Sequence, residues 1–320
     1  MLEETLHPRI SIIGAGNVGI RYAYALIIKG IAREIVLVDI NHERLEGEVM
    51  DLSHTAPYTS PVNIIAGDYE QIKDSDLVVI TAGKNQKPNE TRLDLVNKNV
   101  ELFKKIIPQI THYVPNAIYL VVSNPVDILS YVTYKISKKP KNEVLGSGTT
   151  LDTARFRYLL AKYFQINASN VHGYILGEHG DSEFAVWSSA MIGGVLIKDY
   201  TNLCSFMDSK KCDNGFKNIT AEVKNSAYKI IEKKGETSYG IGLALTRITQ
   251  AIINDENTIL PVSTLIEDYY GENDLFLSLP CIINKKGVQE TLKIELSPEE
   301  RNNFKYSAKK INEVIKSIEI

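Results

Sequence analysis

An apolar run, Ile10-Ser11-Ile12-Ile13, enters Gly14-Ala15-Gly16-Asn17-Val18-Gly19, and a second run, Ile35-Val36-Leu37-Val38, ends in Asp39. This order reads as strand, Gly-x-Gly-x-x-Gly turn, helix and strand. Gly14 permits the tight turn, Gly16 lets a pyrophosphate approach the backbone, and Gly19 lets the helix pack on the strand. The helix N-terminus offers unpaired N–H groups and a positive dipole end to the phosphates. Asp39 lies 20 residues past Gly19, the spacing of a carboxylate that binds a ribose diol. That carboxylate repels a 2′-phosphate, so the motif predicts NAD rather than NADP. The bland reading of the same residues is a plain βαβ unit with a glycine-rich turn.

Four polar clusters follow. Gly83–Arg92 is a polar, Pro-containing stretch with Arg92 at its far end. Taken alone it reads as a solvated surface loop. Ser123-Asn124-Pro125 closes an apolar run; Asn124 can bond a ligand carbonyl or carboxylate, and Pro125 can open a helix at its first position. A simple helix cap is the compatible alternative. Asp152 and Arg155 are three apart and share a helix face, as site residues or as an intrahelical ion pair. Gly177-Glu178-His179-Gly180-Asp181 sets a histidine between glycines, at the edge of a cleft or in a structural turn.

The elements that position these clusters change character along the chain. Up to about residue 148, short two-sided apolar strands (Arg9–Ile13, Ile35–Asp39, Asn63–Ala66, Leu77–Ala82, Ala117–Ser123, Val144–Gly146) alternate with helical patterns at Val18–Gly30, His42–Leu52, Leu93–His112 and Val126–Ser137. This alternation predicts a Rossmann-type, doubly wound α/β domain with a parallel sheet covered on both faces. Ligands then bind beyond the C-terminal strand ends. The remainder reads as a mixed α+β substrate domain, giving residues 1–148 for NAD and 149–320 for substrate. There the patterns predict a helix at Leu151–Phe164, β-like pieces at His172–Leu176 and Phe184–Ser188, and irregular chain at Lys198–Asn218 with a turn at Asp213-Asn214-Gly215. Helices follow at Ile219–Lys233 and Gly242–Ile253. Antiparallel strands are expected at Val262–Tyr269, Phe276–Ile283 and Gly287–Ile294, then a final helix at Pro298–Ile318.

Composition narrows the classes. A 44% hydrophobic and 23% charged chain of 320 residues can bury a substantial core. Its net charge of −3 leaves no basic footprint for nucleic acid or an anionic membrane. Cys204, Cys212 and Cys281 show no C-x-x-C spacing, so no metal site is predicted and a reducing cytoplasm is expected. The N-terminus lacks signal-peptide character, and no apolar run reaches the roughly 20 residues that span a bilayer.

In order and spacing, Gly14–Gly19, Asp39, Gln86–Arg92, Ser123–Pro125, Asp152–Arg155, Gly177–Asp181 and Lys234–Ser238 resemble the L-lactate/malate dehydrogenase family across essentially the whole chain. Within it the similarity is greatest to the bacterial-type L-lactate enzymes. The resemblance implies that His179 is the general acid/base, oriented by Asp152. It implies that Arg155 grips the substrate carboxylate and that Arg92 polarises the reacting carbonyl. It implies that Asn124 and Thr237 help bind substrate. The cofactor site is implied to comprise Gly14, Gly16, Asn17, Val18, Gly19, Asp39, Ala82, Gly83, Ser123, Asn124 and Ile241. Gln86 stands where malate enzymes carry arginine; being neutral, it leaves a second substrate carboxylate without a partner. Pyruvate and L-lactate are therefore the expected substrates, with malate or a broader range of L-2-hydroxy acids as alternatives.

Two departures from the family pattern are visible: Asn89 replaces a usual glycine, and Gly240 a usual alanine that would otherwise narrow the pocket floor. Arg157 and His172 match positions that bind fructose 1,6-bisphosphate in regulated, homotetrameric relatives, or else are a surface arginine and a capping histidine.

Overall fold

The computed structural model describes residues 8–84, 92–203 and 209–320, without the side chains of 92, 201–203 and 209–214. The first half runs β1 (Arg9–Ile13), α1 (Asn17–Lys29), β2 (Glu34–Val38), α2 (His42–Ser53), β3 (Asn63–Gly67), β4 (Leu77–Ile80), α3 (Arg92–Tyr113), β5 (Ile118–Val121), α4 (Val126–Ser137) and β6 (Val144–Gly146). These six strands are parallel, in the order β3-β2-β1-β4-β5-β6. Every residue of β4, β5 and β6 is buried, which explains why their sequences are continuous apolar runs. The strand order reverses between β1 and β4, opening a crevice at their C-terminal ends. Helix α4 begins after Pro125, which stands at the cap rather than at the first helical position the sequence suggested.

The second half continues with α5 (Thr150–Phe164), β7 (Val171–His172), β8 (Ile175–Leu176), β9 (Phe184–Ala185), β10 (Met191–Ile192), β11 (Val195–Leu196), α6 (Ile197–Leu203), α7 (Ser209–Lys234), α8 (Tyr239–Ile253), β12 (Thr258–Ile266), β13 (Leu275–Asn284), β14 (Gly287–Thr291) and α9 (Pro298–Ile315). The antiparallel set β12–β14 does not make a separate sheet. It continues the parallel one through Ser263, paired with Gly146 of β6, into nine strands. The Tyr22 hydroxyl of α1 and the Thr249 hydroxyl of α8, both buried, meet at 2.6 Å, so the halves share one core. A second core gathers Phe156, Leu160, Val171, Ile175 and Ile219, with Trp187 and Phe216 against it.

Three sequence expectations are corrected here. Within Lys198–Asn218 the described residues are helical, not irregular: α6 ends at Leu203, and α7 begins at Ser209 and runs straight through Asp213-Asn214-Gly215. A Cβ on Gly215 would stand 2.8 Å from the Tyr163 hydroxyl, so this glycine permits close packing rather than making a turn. The His172–Leu176 piece divides at Gly173, where a Cβ would stand 2.8 Å from the Phe156 ring. Its two parts pair with different strands, β7 with β10 and β8 with β9. The strand placed at Val262–Tyr269 begins earlier, at Thr258, and stops at Ile266; it can include Pro261 because that residue sits opposite Pro280, where two residues without N–H groups leave no donor unpaired. Helix α9 starts as read, with a Ser297–Glu300 capping box.

Candidate active site

The glycine turn is built by close approach. Gly14 has φ +107°, and a Cβ there would stand 2.5 Å from the Ala82 nitrogen. A Cβ on Gly19 would stand 2.1 Å from the Gly14 carbonyl oxygen. Gly16 is the opposite case: it is exposed, with nothing within 4 Å of a Cβ. It caps α1 without any side-chain hydrogen bond, so the first N–H groups of that helix stay available, with exposed Asn17 and half-buried Val18 beside them. Asp39, at the end of β2, accepts a hydrogen bond from the Ala15 N–H at 2.8 Å. A backbone cradle, an uncapped helix end and a carboxylate at its rim fit a dinucleotide's pyrophosphate and ribose.

The far wall of this crevice is tied by two residues. Ser123 Oγ donates to the Ala82 carbonyl at 2.6 Å. Asn99, buried on α3, accepts from the Lys84 N–H at 2.8 Å and donates to the Asn124 carbonyl at 2.9 Å. Gly83 lies between these ties, and Asn124 itself is exposed. Gln86, Asn89 and the Arg92 side chain lie outside the described residues; Arg92 is the first residue of α3.

His179 lies on the connection from β8 to β9, with its side chain 25% exposed. Gly177 pins the connection to β13 through paired backbone bonds with Ser278, at 3.2 and 3.0 Å. The His179 Nδ1 and Asp152 Oδ2 are 2.7 Å apart, and Arg155 Nη1 donates to Asp152 Oδ1 at 2.8 Å. Asp152, 2% exposed, thus holds an imidazole with one oxygen and a guanidinium with the other. The helix-face pair is an ion pair and part of a triad at once. Burial would raise the Asp152 carboxyl, but His179 and Arg155 outweigh it and hold the acid below its ordinary range. Burial likewise opposes a charged His179, yet the charge and hydrogen bond of Asp152 raise it to about 9.

Sequence reasoning missed two carboxyls here. Asp127, 1% exposed on α4, accepts from the His179 N–H at 2.8 Å and from Ser263 Oγ at 2.6 Å. Burial pushes it up to about 7, against these hydrogen bonds. Its signal was an acid inside a helix that is otherwise apolar on every face from Val126 to Val132, save Ser130. Glu183, 3% exposed, lies four residues past His179. Donor atoms of Asp152, His179 and Glu183 all fall within 4.8 Å of one another.

The other predicted residues lie further out. Thr237 is half-buried in the connection between α7 and α8, and Ile241 of α8 packs on the main core. A Cβ on Gly240 would stand 2.9 Å from Leu151 Cδ1, so its missing methyl leaves room for Leu151. Arg157 Nε donates to the Gly173 carbonyl at 3.2 Å, and its guanidinium lies over the Tyr174 ring. Exposed His172 neighbours that carbonyl.

Two family models cover the chain: the lactate/malate dehydrogenase NAD-binding domain over residues 8–146, and the lactate/malate dehydrogenase alpha/beta C-terminal domain over 149–319. L-lactate dehydrogenase 1 of Clostridium acetobutylicum is 51% identical over 313 residues, covering 98% of this chain and 99% of that protein. An L-lactate dehydrogenase of Clostridium botulinum is 50% identical over 315 residues, 98% of each chain. Among solved structures, a lactate dehydrogenase from a Medee basin deep-sea metagenome library matches with a TM-score of 0.93 at 43% identity, covering 97% of this chain and 98% of that one. The minor L-lactate dehydrogenase of Enterococcus mundtii, in its ligands-bound form, matches with a TM-score of 0.93 at 41% identity, covering 98% and 99%. Likeness of this depth, from the glycine turn through to α9, means that the chain belongs to the lactate/malate dehydrogenase family of NAD-dependent oxidoreductases.

Proposed function

We propose that the protein is an L-lactate dehydrogenase, reducing pyruvate reversibly to L-lactate at the end of fermentative glycolysis in the cytoplasm. The observation that carries this is the single buried carboxylate of Asp152 bonded to both His179 and Arg155. One side chain thereby fixes the proton donor relative to the anion-binding fork. Arg155 takes the substrate carboxylate through two parallel N–H groups, a geometry lysine lacks. His179, held cationic by Asp152, gives its proton to the carbonyl oxygen of the oxo acid, and takes it back in the reverse direction. Arg92 polarises that carbonyl, while Asn124 and Thr237 bound the substrate. NADH, when bound, supplies the hydride. Gly14, Gly16, Asn17, Val18 and Gly19 hold the pyrophosphate, Asp39 the ribose, and Ala82, Gly83, Ser123, Asn124 and Ile241 the nicotinamide half.

Gln86 selects the substrate. Its neutral amide suits a methyl group at C3, whereas a second carboxylate would be desolvated without a cation. Initial rates with NADH on pyruvate, oxaloacetate, 2-oxobutyrate and 2-oxoisocaproate test this. Pyruvate should lead. Preference for oxaloacetate would make the protein a malate dehydrogenase, and a flat profile a broad 2-hydroxyacid enzyme.

The protein is further read as a homotetramer activated by fructose 1,6-bisphosphate through Arg157 and His172. Support comes from the tie between Arg157 and the Gly173 carbonyl, which holds the guanidinium beside the chain segment that carries exposed His172. A pyruvate KM that falls with added bisphosphate, together with a sedimentation mass of four chains, is the expected result. An unchanged KM at neutral pH removes the effector.

A further inference from the structure

Glu183 lies beside His179 and Asp152, and the roles assigned above leave it without a task. It is 3% exposed and shares the 4.8 Å cluster with Asp152 and His179. It also lines a second cavity, of about 780 Å³, with Trp187, Phe216, Lys217, Lys224 and Tyr306. A carboxyl beside an acid/base pair, on a residue that also lines this cavity, is placed to exchange a proton with solvent while substrate fills the cleft. Unit charges this close interact strongly, because little water intervenes to screen them.

We infer that Glu183 is a positioning residue for proton transfer: its charge sets the proton affinity of His179, and its own proton reaches solvent through the second cavity. This rests on the functional reading above. Several charged groups face it. Asp152 and Arg155 come from α5, and Lys224, whose ammonium donates to the Asp181 carbonyl at 3.0 Å, comes from α7. Lys217 and Glu299 stand on the cavity wall, and Asp127 lies beyond His179. Burial first, and then the negative charge of Asp152, raise the Glu183 carboxyl to about 8, against the pull of His179, Lys224 and Arg155. Once ionised it holds the imidazolium proton more firmly, delaying the loss of that proton to higher pH.

The test is the pH profile of kcat/KM in both directions for wild type, Glu183→Gln and Glu183→Asp, with NADH affinity measured on each sample as a check of folding. Glu183→Gln should move the alkaline fall of pyruvate reduction, and the rise of lactate oxidation, down together by about one pH unit. Glu183→Asp, which keeps the charge, should stay near wild type. A Gln variant that binds NADH and loses turnover with unmoved midpoints overturns the proposal, since simple loss of packing predicts that pattern. Should the Gln variant not bind NADH, infrared titration of wild-type protein carrying carboxyl-labelled glutamate decides. A buried protonated band that disappears as pH rises toward the alkaline limb supports the role, and its absence overturns it. Wild-type protein inactive on pyruvate at every pH would overturn the functional reading instead.

Discussion

The carboxylate of Asp127 accepts the backbone N–H of His179 at 2.8 Å while its other oxygen takes the Ser263 hydroxyl at 2.6 Å. This acid fixes the main chain of the histidine, whereas Asp152 fixes its ring. α4, the His179 connection and β12 thus meet at one buried carboxyl. Asp127→Asn leaves a single acceptor oxygen for two donors, so one buried donor is stranded at a cost of about 1–3 kcal/mol. kcat/KM for pyruvate should fall roughly 5- to 150-fold by the same energy, with NADH affinity unchanged. Titration of NADH fluorescence beside steady-state rates checks the split; an equal loss of NADH binding would make Asp127 a general structural residue.

Asp152→Asn removes the charge that raises His179. Burial is then opposed only by the weaker influence of Glu183 and Asp127, and the imidazole falls from about 9. Pyruvate reduction at neutral pH consumes the imidazolium proton and should drop by about 10²- to 10⁴-fold. Lactate oxidation, which needs the neutral ring, should lose less. The same pairing acts on stability. His179 binds its proton more tightly folded than unfolded, so the stabilisation is complete below the ordinary imidazole pKa and fades as pH climbs through about 9. Wild-type Tm should decline over that interval, and the Asn variant should lack this component. Parallel Tm curves for the two proteins would refute it.

The last two glycines of the turn should separate folding from binding. Gly19→Ala places a Cβ 2.1 Å from the Gly14 oxygen, so the variant must displace backbone and should lose Tm. Gly16→Ala meets nothing in the protein within 4 Å. It should keep its Tm and lose NADH affinity, because the added methyl stands where phosphate approaches. Calorimetry with NADH titration distinguishes them, and unchanged NADH affinity in Gly16→Ala would mean that the phosphates lie elsewhere.

Gln86→Arg should raise kcat/KM for oxaloacetate and lower it for pyruvate, since the new cation pairs with a second carboxylate and confronts a methyl group otherwise. Measured rates on both oxo acids give the ratio; a ratio that stays at the wild-type value removes Gln86 as the selector.

The sequence alone determined the parallel half and the residue types that gather at the candidate site. Buried parallel strands such as Val78–Ile80 are apolar on both faces, and glycines at a strand-to-helix turn carry a backbone requirement that no neighbour can supply. Those signals are local, as is the Ser297 capping box. His179, Asp152 and Arg155 were legible as types at fixed spacing. Only the tertiary structure decided that one Asp152 carboxylate serves both partners, because 27 residues separate it from His179 and folding alone brings them together. It alone placed Asp127 and Glu183 in the site, since an acid's burial depends on what packs over it. The same holds for Gly215 and Gly240. Their composition reads as turn or open space, yet Tyr163 and Leu151 occupy the volume a side chain would need. Local sequence specifies which conformations a segment can adopt; the volume left by its distant neighbours decides which one it takes.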